Sequence, residues 1–247
     1  MTKIFIDPGH GGSDPGAVAN GLKEKDLVLT ISRQIRDMIL SEYQEVEVQM
    51  SRDGDIYLSL AERATLANKW GADYFCSVHI NAGGGTGFET FIHDSRPSKS
   101  VAYQNVVHPE ILATMNVRDR GKKAANYAVL RLTKMPAILT ENLFIDNLSD
   151  AKLLKDPVFL QQIAKGHAEG IAKAFGLKRT SSSTMSKPAT SKPKGDMKTH
   201  SIVDYLKSIG VDSSFANRKK LAAKHGIKNY AGTASQNMQL LKKLRGK

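Results

Sequence analysis

Two histidines and two glutamates of the 247-residue chain, of types that bind metals or move protons, sit at or near the ends of elements that read as the core of one sheet. His10 follows the run Ile4-Phe-Ile-Asp-Pro-Gly, in which a short β-branched and aromatic strand runs directly into a loop of glycines and prolines. An imidazole just past a strand's carboxyl end lies where open α/β sheets place their ligands. Glu24 opens the next helical pattern. His79 closes an apolar run, in Ser-Val-His-Ile-Asn, and Glu141 sits near the middle of another, in Ile-Leu-Thr-Glu-Asn. Zinc held by two imidazoles and one carboxylate, with a coordination position open, is a known catalytic arrangement. The carboxylate left over would be free for proton transfer.

Taken singly, most of these residues have ordinary explanations. A histidine among glycines can be a turn residue, one that ends an apolar strand can be a hydrogen-bonded core residue, and an acid in a first helical turn favours the helix dipole. Glu141 is the exception, because a carboxylate inside an apolar strand is costly without a partner. The compact zinc signatures His-Glu-x-x-His and paired Cys-x-x-Cys are missing.

The elements that must position these residues alternate between two periods. Residues 3–7, 46–50, 74–80, 88–93 and 137–145 read as strands. Residues 24–41 place Leu27, Ile31, Ile35 and Ile39 on one helical face, 58–70 read as a helix with Ser59 as N-cap, and 157–175 form a helix that Gly176 ends. Strands alternating with helices predict an α/β fold with a mixed, mostly parallel sheet flanked by helices. Beyond residue 200 three short helices are expected at 202–209, 215–225 and from Thr233, where Gln236 completes a capping box. The predicted organisation is a domain at 1–178, a flexible linker of Ser, Thr, Lys and Pro at 179–199, and a small all-α module at 200–247.

Charge follows the same division. Residues 179–247 carry fifteen Lys and Arg against three Asp, whereas residues 1–178 are neutral, with 21 of each sign. A neutral body with a basic tail favours a polyanion as the tail's partner: nucleic acid, teichoic acid or an anionic membrane. No stretch reaches the roughly 20 apolar residues of a membrane span, so no insertion is expected. The apolar run at residues 4–6 is too short for a secretory signal, which predicts synthesis in the cytoplasm and delivery by some other agent. The single cysteine, Cys76, excludes an intrachain disulfide and reads as a buried small side chain. Nothing in the pattern signals an oligomer.

Several separated motifs, in order, connect residues 1–178 to a known family: DPGHGGSDPGA, GLKEKDL, SRDGD with LAERATLANKWGAD, SVHINA and PAILTENLFIDN. The domain resembles the zinc-dependent N-acetylmuramoyl-L-alanine amidases, in particular the phage endolysins and sporulation amidases of Bacillus-type bacteria. The resemblance implies zinc bound by His10, Glu24 and His79, with Glu141 as the catalytic carboxylate. It implies bacterial peptidoglycan as substrate, cut between N-acetylmuramic acid and L-alanine once holin-type release or lysis exposes the wall. Arg63 and Asn81 are candidate substrate-positioning residues. The tail resembles small wall-binding modules of phage lysins, with Lys219, Lys220, Lys224 and Lys228 as candidate contacts to the wall or its anionic polymers. Two other readings compete. A glycosidase using Glu24 and Glu141 as a carboxylate pair would leave both histidines unexplained. A nucleic-acid-binding protein led by the tail would gain no basic groove from the neutral first domain, so nucleic acid is not the expected partner.

Overall fold

The computed structural model describes residues 1–180, 199, 201–209, 211–227 and 230–245. The chain divides into two compact units, Met1–Ser182 and Ser183–Lys247.

The first unit is built on a six-stranded sheet. Its strands are β1 (Thr2–Pro8), β4 (Val46–Met50), β5 (Tyr74–Asn81), β6 (Phe88–Ile92), β7 (Asp119–Ala124) and β8 (Ala137–Phe144), in the spatial order β4-β1-β5-β8-β6-β7. All neighbours are parallel except β6 and β8. The mixed, mostly parallel sheet expected from the alternating pattern is therefore present. The central strands β1, β5 and β8 are largely apolar on both faces because both faces are covered. Ile4, Ile6, Cys76, Val78 and Ile138 pack with α1 (Glu24–Glu42), α3 (Ser98–Met115) and α6 (Pro157–Phe175). The alternating residues Phe5, Phe75, Ala137 and Leu139 face α2 (Leu60–Trp70) and α4 (Ala128–Leu132). These last two helices are short, 11 and 5 residues, so this face stays open near the carboxyl ends of β5 and β8. Burial raises the Cys76 thiol to about 12, as fits a packing residue.

Local sequence accounts for the helix ends. Ser59 and Glu62 form a capping box that starts α2 at Leu60, and Gly71 ends it in the left-handed conformation. Asn20 and Gly21, both with positive φ, turn the miniature hairpin β2 (Val18–Ala19) and β3 (Leu22–Lys23) that delivers the chain to Glu24. Arg179 and Thr180 remain bound to this unit. Arg179 pairs with Glu42 and lies over Tyr43, and Thr180 donates its N–H to the Glu42 carbonyl. The ordered body thus runs two residues into the segment assigned to the linker. The rest of that segment, apart from Thr199, lies outside the described residues.

The second unit contains α7 (Ile202–Ser208), α8 (Phe215–Lys224) and α9 (Ala234–Leu244) around Tyr205, Leu206, Ala222, Tyr230, Leu240 and Leu241. Thr233 and Gln236 form the capping box read from the sequence. No helix among the described residues is long and apolar enough to cross a membrane.

Candidate active site

His10, Glu24 and His79 converge although 69 residues separate the first from the last. His10 stands in the loop after β1 with φ 58°, a left-handed conformation that a non-glycine residue holds only when its surroundings enforce it. The enforcement is visible beneath the loop. Arg63, on α2, donates to the carbonyls of Pro8, His10 and Leu58 and to Asp7 Oδ1. Arg52 donates to the carbonyls of Pro8, Gly9, Lys25 and Gly54. Asp7 also accepts from Ser51 and Ser77 at 2.6 and 2.8 Å. Two glycines make room for the His79 and Glu24 side chains. A Cβ on Gly9 would lie 2.3 Å from the His79 ring, and one on Gly16 would lie 2.6 Å from Glu24 Oε2.

Glu24 reaches the site from the first turn of α1. Its Oε2 accepts from the Ala17 N–H at 2.9 Å and its Oε1 from the Ile80 N–H at 3.0 Å. That same Oε1 lies 3.1 Å from His10 Nε2 and 3.0 Å from His79 Nδ1. The three donor atoms lie within 4.8 Å of one another. Zinc with ligand bonds of 2.0–2.2 Å in tetrahedral geometry separates its ligand atoms by about 3.3 Å. These donors already stand close to that spacing, so the residues fit a zinc ion. Asp14 Oδ2 lies 2.8 Å from His10 Nδ1, the carboxylate–histidine contact that orients a ligating imidazole so that its other nitrogen faces the metal.

Glu141 belongs to the same cleft. On β8 it is in register with His79 on β5, so both side chains leave the same face of the sheet. A bulge follows it: the ladder shifts register after His79, and Leu143 takes φ 71°. Glu141 Oε2 is buried and finds no hydrogen-bond partner among the described residues. With His10, Glu24 and His79 it lines a cleft of about 340 Å³ whose other wall includes Leu60, Tyr127, Val129 and Leu139.

The charges are tightly coupled. Burial works against a charged His10, but hydrogen bonds and attraction from Glu24 and Asp14 raise its pKa to about 9. His79 rises against the same burial, held by Glu24 and helped by Glu141. Burial pushes the Glu24 carboxyl up, yet His10 and His79 hold it well below the usual carboxylate range. Glu141 goes the other way. Burial is the main cause, opposed by His79 and reinforced by Glu24 and Glu89, and its pKa is pushed up to about 7. Two carboxylates in one site with widely separated proton affinities divide into a permanent anion and a group that can exchange protons near neutral pH.

Arg63 and Asn81, the candidate substrate-positioning residues, stand in different places. Arg63 is buried and donates to Asp7 and to the carbonyls of Leu58, Pro8 and His10, beneath the His10 loop. Asn81 does line the cleft, with its amide donating to Glu89 Oε1 at 2.9 Å. Lys219, Lys220 and Lys224 are exposed on α8; Lys228 lies outside the described residues. Sequence reasoning missed Asp7, Asp14, Arg52 and Glu89. Asp14, four residues after His10 in the glycine loop, was the one with a local signal.

Two histidines flanking a carboxylate, beside a buried Glu141 oxygen that meets no hydrogen-bond partner among the described residues, make a donor set fit for a metal ion on a mostly parallel sheet. The sequence profile described as N-acetylmuramoyl-L-alanine amidase matches residues 4–173, and the chain belongs to this family. It is 56% identical over 179 residues to the N-acetylmuramoyl-L-alanine amidase CwlM of Bacillus licheniformis, covering 72% of this chain and 71% of the relative. It is 48% identical over 213 residues to the sporulation-specific N-acetylmuramoyl-L-alanine amidase of Bacillus subtilis, covering 86% and 84%. It is 47% identical over 201 residues to the endolysin of Bacillus phage SPP1, covering 77% and 74%. The catalytic domain of CwlV from Bacillus (Paenibacillus) polymyxa superposes with a TM-score of 0.69 at 32% identity, covering 72% of this chain and all of that one. The chain's activity is hydrolysis of the N-acetylmuramoyl–L-alanine amide of peptidoglycan, and it acts on the cell wall. Residues 170–247 match a second profile, described as a domain of unknown function.

Proposed function

We propose that this amidase works through a zinc ion held by His10, Glu24 and His79, with Glu141 as its proton-transfer group. The observation that carries the reading is the convergence of those three donors within 4.8 Å beside a buried, unpartnered Glu141 oxygen. Zinc supplies Lewis acidity toward the lactyl carbonyl and toward water. Everything else falls to the protein. Asp14 fixes the His10 ring, while Arg52 and Arg63 fix the loop that carries it. Leu60, Tyr127, Val129 and Leu139 give the cleft an apolar wall that limits competing solvent. Glu141 accepts the proton of the attacking water and returns it to the departing alanine nitrogen, so the products are a lactyl carboxylate on the glycan and a free peptide amine.

Digestion of purified walls followed by end-group analysis tests this. New amino-terminal alanine without new reducing sugar is expected, with loss of activity on chelation and recovery on adding zinc. New reducing ends would favour the carboxylate-pair glycosidase, and activity untouched by exhaustive chelation would remove the metal. We further propose that residues 200–247 hold the enzyme on the wall, supported by the basic charge of this region and by exposed Lys219, Lys220 and Lys224. A tethered binding module raises the local concentration of the site at a polymeric substrate. Residues 1–180 alone should then cleave soluble muropeptides normally but intact walls poorly. Tight binding of the module to duplex DNA, with none to walls at matched salt, would replace wall targeting with nucleic-acid binding.

A further inference from the structure

Next to the ligand cluster the sheet carries a second group of charges with no task in the proton-transfer scheme. Glu89 on β6 is the antiparallel partner of Glu141 on β8. Paired residues leave the same face of a sheet with Cβ atoms about 5 Å apart. The Glu89 carboxylate is buried and receives three donors: Asn81 Nδ2 at 2.9 Å on Oε1, and Arg120 Nε at 2.7 Å and Lys123 Nζ at 2.5 Å on Oε2. One acid facing two cations leaves a surplus of one positive charge. Both cations reach in from the edge strand β7 and stay open to solvent, with 26% and 38% of their side chains exposed. Flat apolar surfaces support them. The Arg120 guanidinium lies 4.7 Å from the Phe144 ring centre, and the Lys123 ammonium 5.7 Å from that of Phe91, which packs against Tyr127. Asn81 and Tyr127 both line the cleft that contains His10 and Glu141. Asn81 thus links the cleft to Glu89, one strand from the proton-transfer carboxylate, and to the cations that reach Glu89 from β7, two strands away.

We propose that Arg120 and Lys123 form a carboxylate subsite, which holds the α-carboxylate of the residue following the alanine in stem peptides where that group is free. The proposal rests on the amidase reading, because it needs the scissile amide beside Glu141. The dimensions agree. Two residues of extended peptide span at most about 7 Å. One strand spacing of about 4.8 Å from Glu141 to Glu89, plus a hydrogen bond of 2.5–2.7 Å to the cations, is slightly longer, and the hydrogen bond from cation to substrate carboxylate covers the remainder. The chemistry agrees as well. Arg120 uses only Nε on Glu89 among the described residues, so its terminal N–H groups remain for a planar carboxylate. Glu89 keeps both cations and the Asn81 amide in place; it is a positioning residue.

The two cations could instead serve only to neutralise Glu89 beside Glu141. That role would alter the pH profile without distinguishing one substrate from another. The test uses the full chain, loaded with zinc, on two soluble N-acetylmuramoyl-L-alanyl dipeptides, identical except that the second residue ends in an α-carboxylate or an α-carboxamide. Expected is a kcat/KM about tenfold or more higher for the free acid, as charged hydrogen bonds contribute, with the difference mainly in KM. Arg120→Gln and Lys123→Gln should each shrink the ratio, and the double substitution should bring it near one while thermal stability and metal content confirm folding. If the variants fail to fold, the wild-type ratio decides, together with inhibition of the wild type by the free and amidated alanyl dipeptides. A wild-type ratio near one, or a ratio unchanged by the substitutions, overturns the subsite and leaves the amidase reading intact. No cleavage of either substrate would sink that reading and the subsite with it.

Discussion

Replacing Arg63 by Met keeps most of the side-chain volume and removes the charge. The ion pair with Asp7 is enclosed, with the Arg63 and Asp7 side chains 2% and 1% exposed. The carbonyls of Pro8, His10 and Leu58 lose a donor in the same step. Removing one partner of a buried pair typically costs about 3–5 kcal/mol, because the other charge stays buried. Ser51 and Ser77 continue to donate to Asp7, so the lower part of that range, roughly 3 kcal/mol, is the expected loss in denaturant unfolding of the metal-free protein. The partner substitution Asp7→Asn retains acceptor and donor capacity toward both serines without the charge. The double variant Asp7→Asn/Arg63→Met should therefore recover part of the loss, with a coupling of about 1–3 kcal/mol. The second consequence is local. His10 holds φ 58° over a loop that Arg63 pins at its carbonyl. Zinc affinity, measured by competition with a chelating dye, should fall about 10–100-fold, as is usual for groups that orient ligands. A variant less than about 1 kcal/mol below wild type, with unchanged zinc affinity, would refute the assignment of Arg63 to the loop and return it to the candidates for substrate contact.

Three further outcomes are expected. Glu141→Gln keeps size and hydrogen-bonding capacity but cannot take a proton, so it should retain zinc while losing about 10²–10⁴-fold in kcat; loss of zinc instead would make Glu141 a ligand. Asp14→Ala frees the His10 ring and should weaken zinc binding about 10–100-fold at little cost in stability, checked by metal titration alongside thermal unfolding. His167 is buried between Ile163 and Thr140, at 2.8 and 3.0 Å from their oxygens, and burial lowers its pKa to about 4. Below about pH 6.5 the unfolded chain takes up a proton that the folded protein refuses. Its stabilising contribution is thus complete above pH 6.5 and falls by up to about 1.4 kcal/mol per unit as pH drops toward 4. In the metal-free protein His167→Gln should flatten that limb, and identical slopes for wild type and variant would exclude the assignment.

How much of this was legible in the chain depended on whether the signal was contiguous. His10, His79 and Glu141 each sit in or beside an apolar run that itself reads as a strand, so residue type and rim position came together. Glu24 followed from the helical pattern it opens. Ser59 with Glu62 and Thr233 with Gln236 were visible because a capping box is complete within four residues. The region at 98–132 was not legible. α3 buries Ser100, Gln104 and His108 and contains Pro109, which hides its inward face behind polar residues. β7, Asp-Arg-Gly-Lys-Lys-Ala, has no apolar alternation, because it is an edge strand whose side chains meet charges and solvent.

The amino-acid sequence by itself therefore determined the layer architecture, the neutral body with its basic tail, and the kinds of group gathered at the strand ends. Only the tertiary structure decided which of them touch. Asp7 meets Ser51, Arg63 and Ser77, partners 44, 56 and 70 residues away. Glu89 meets Arg120 and Lys123 across the sheet edge. A buried charge must find a partner somewhere. Which partner it finds is set by strand order and register, and these arise from packing of the whole sheet against its helices, not from any local pattern along the chain.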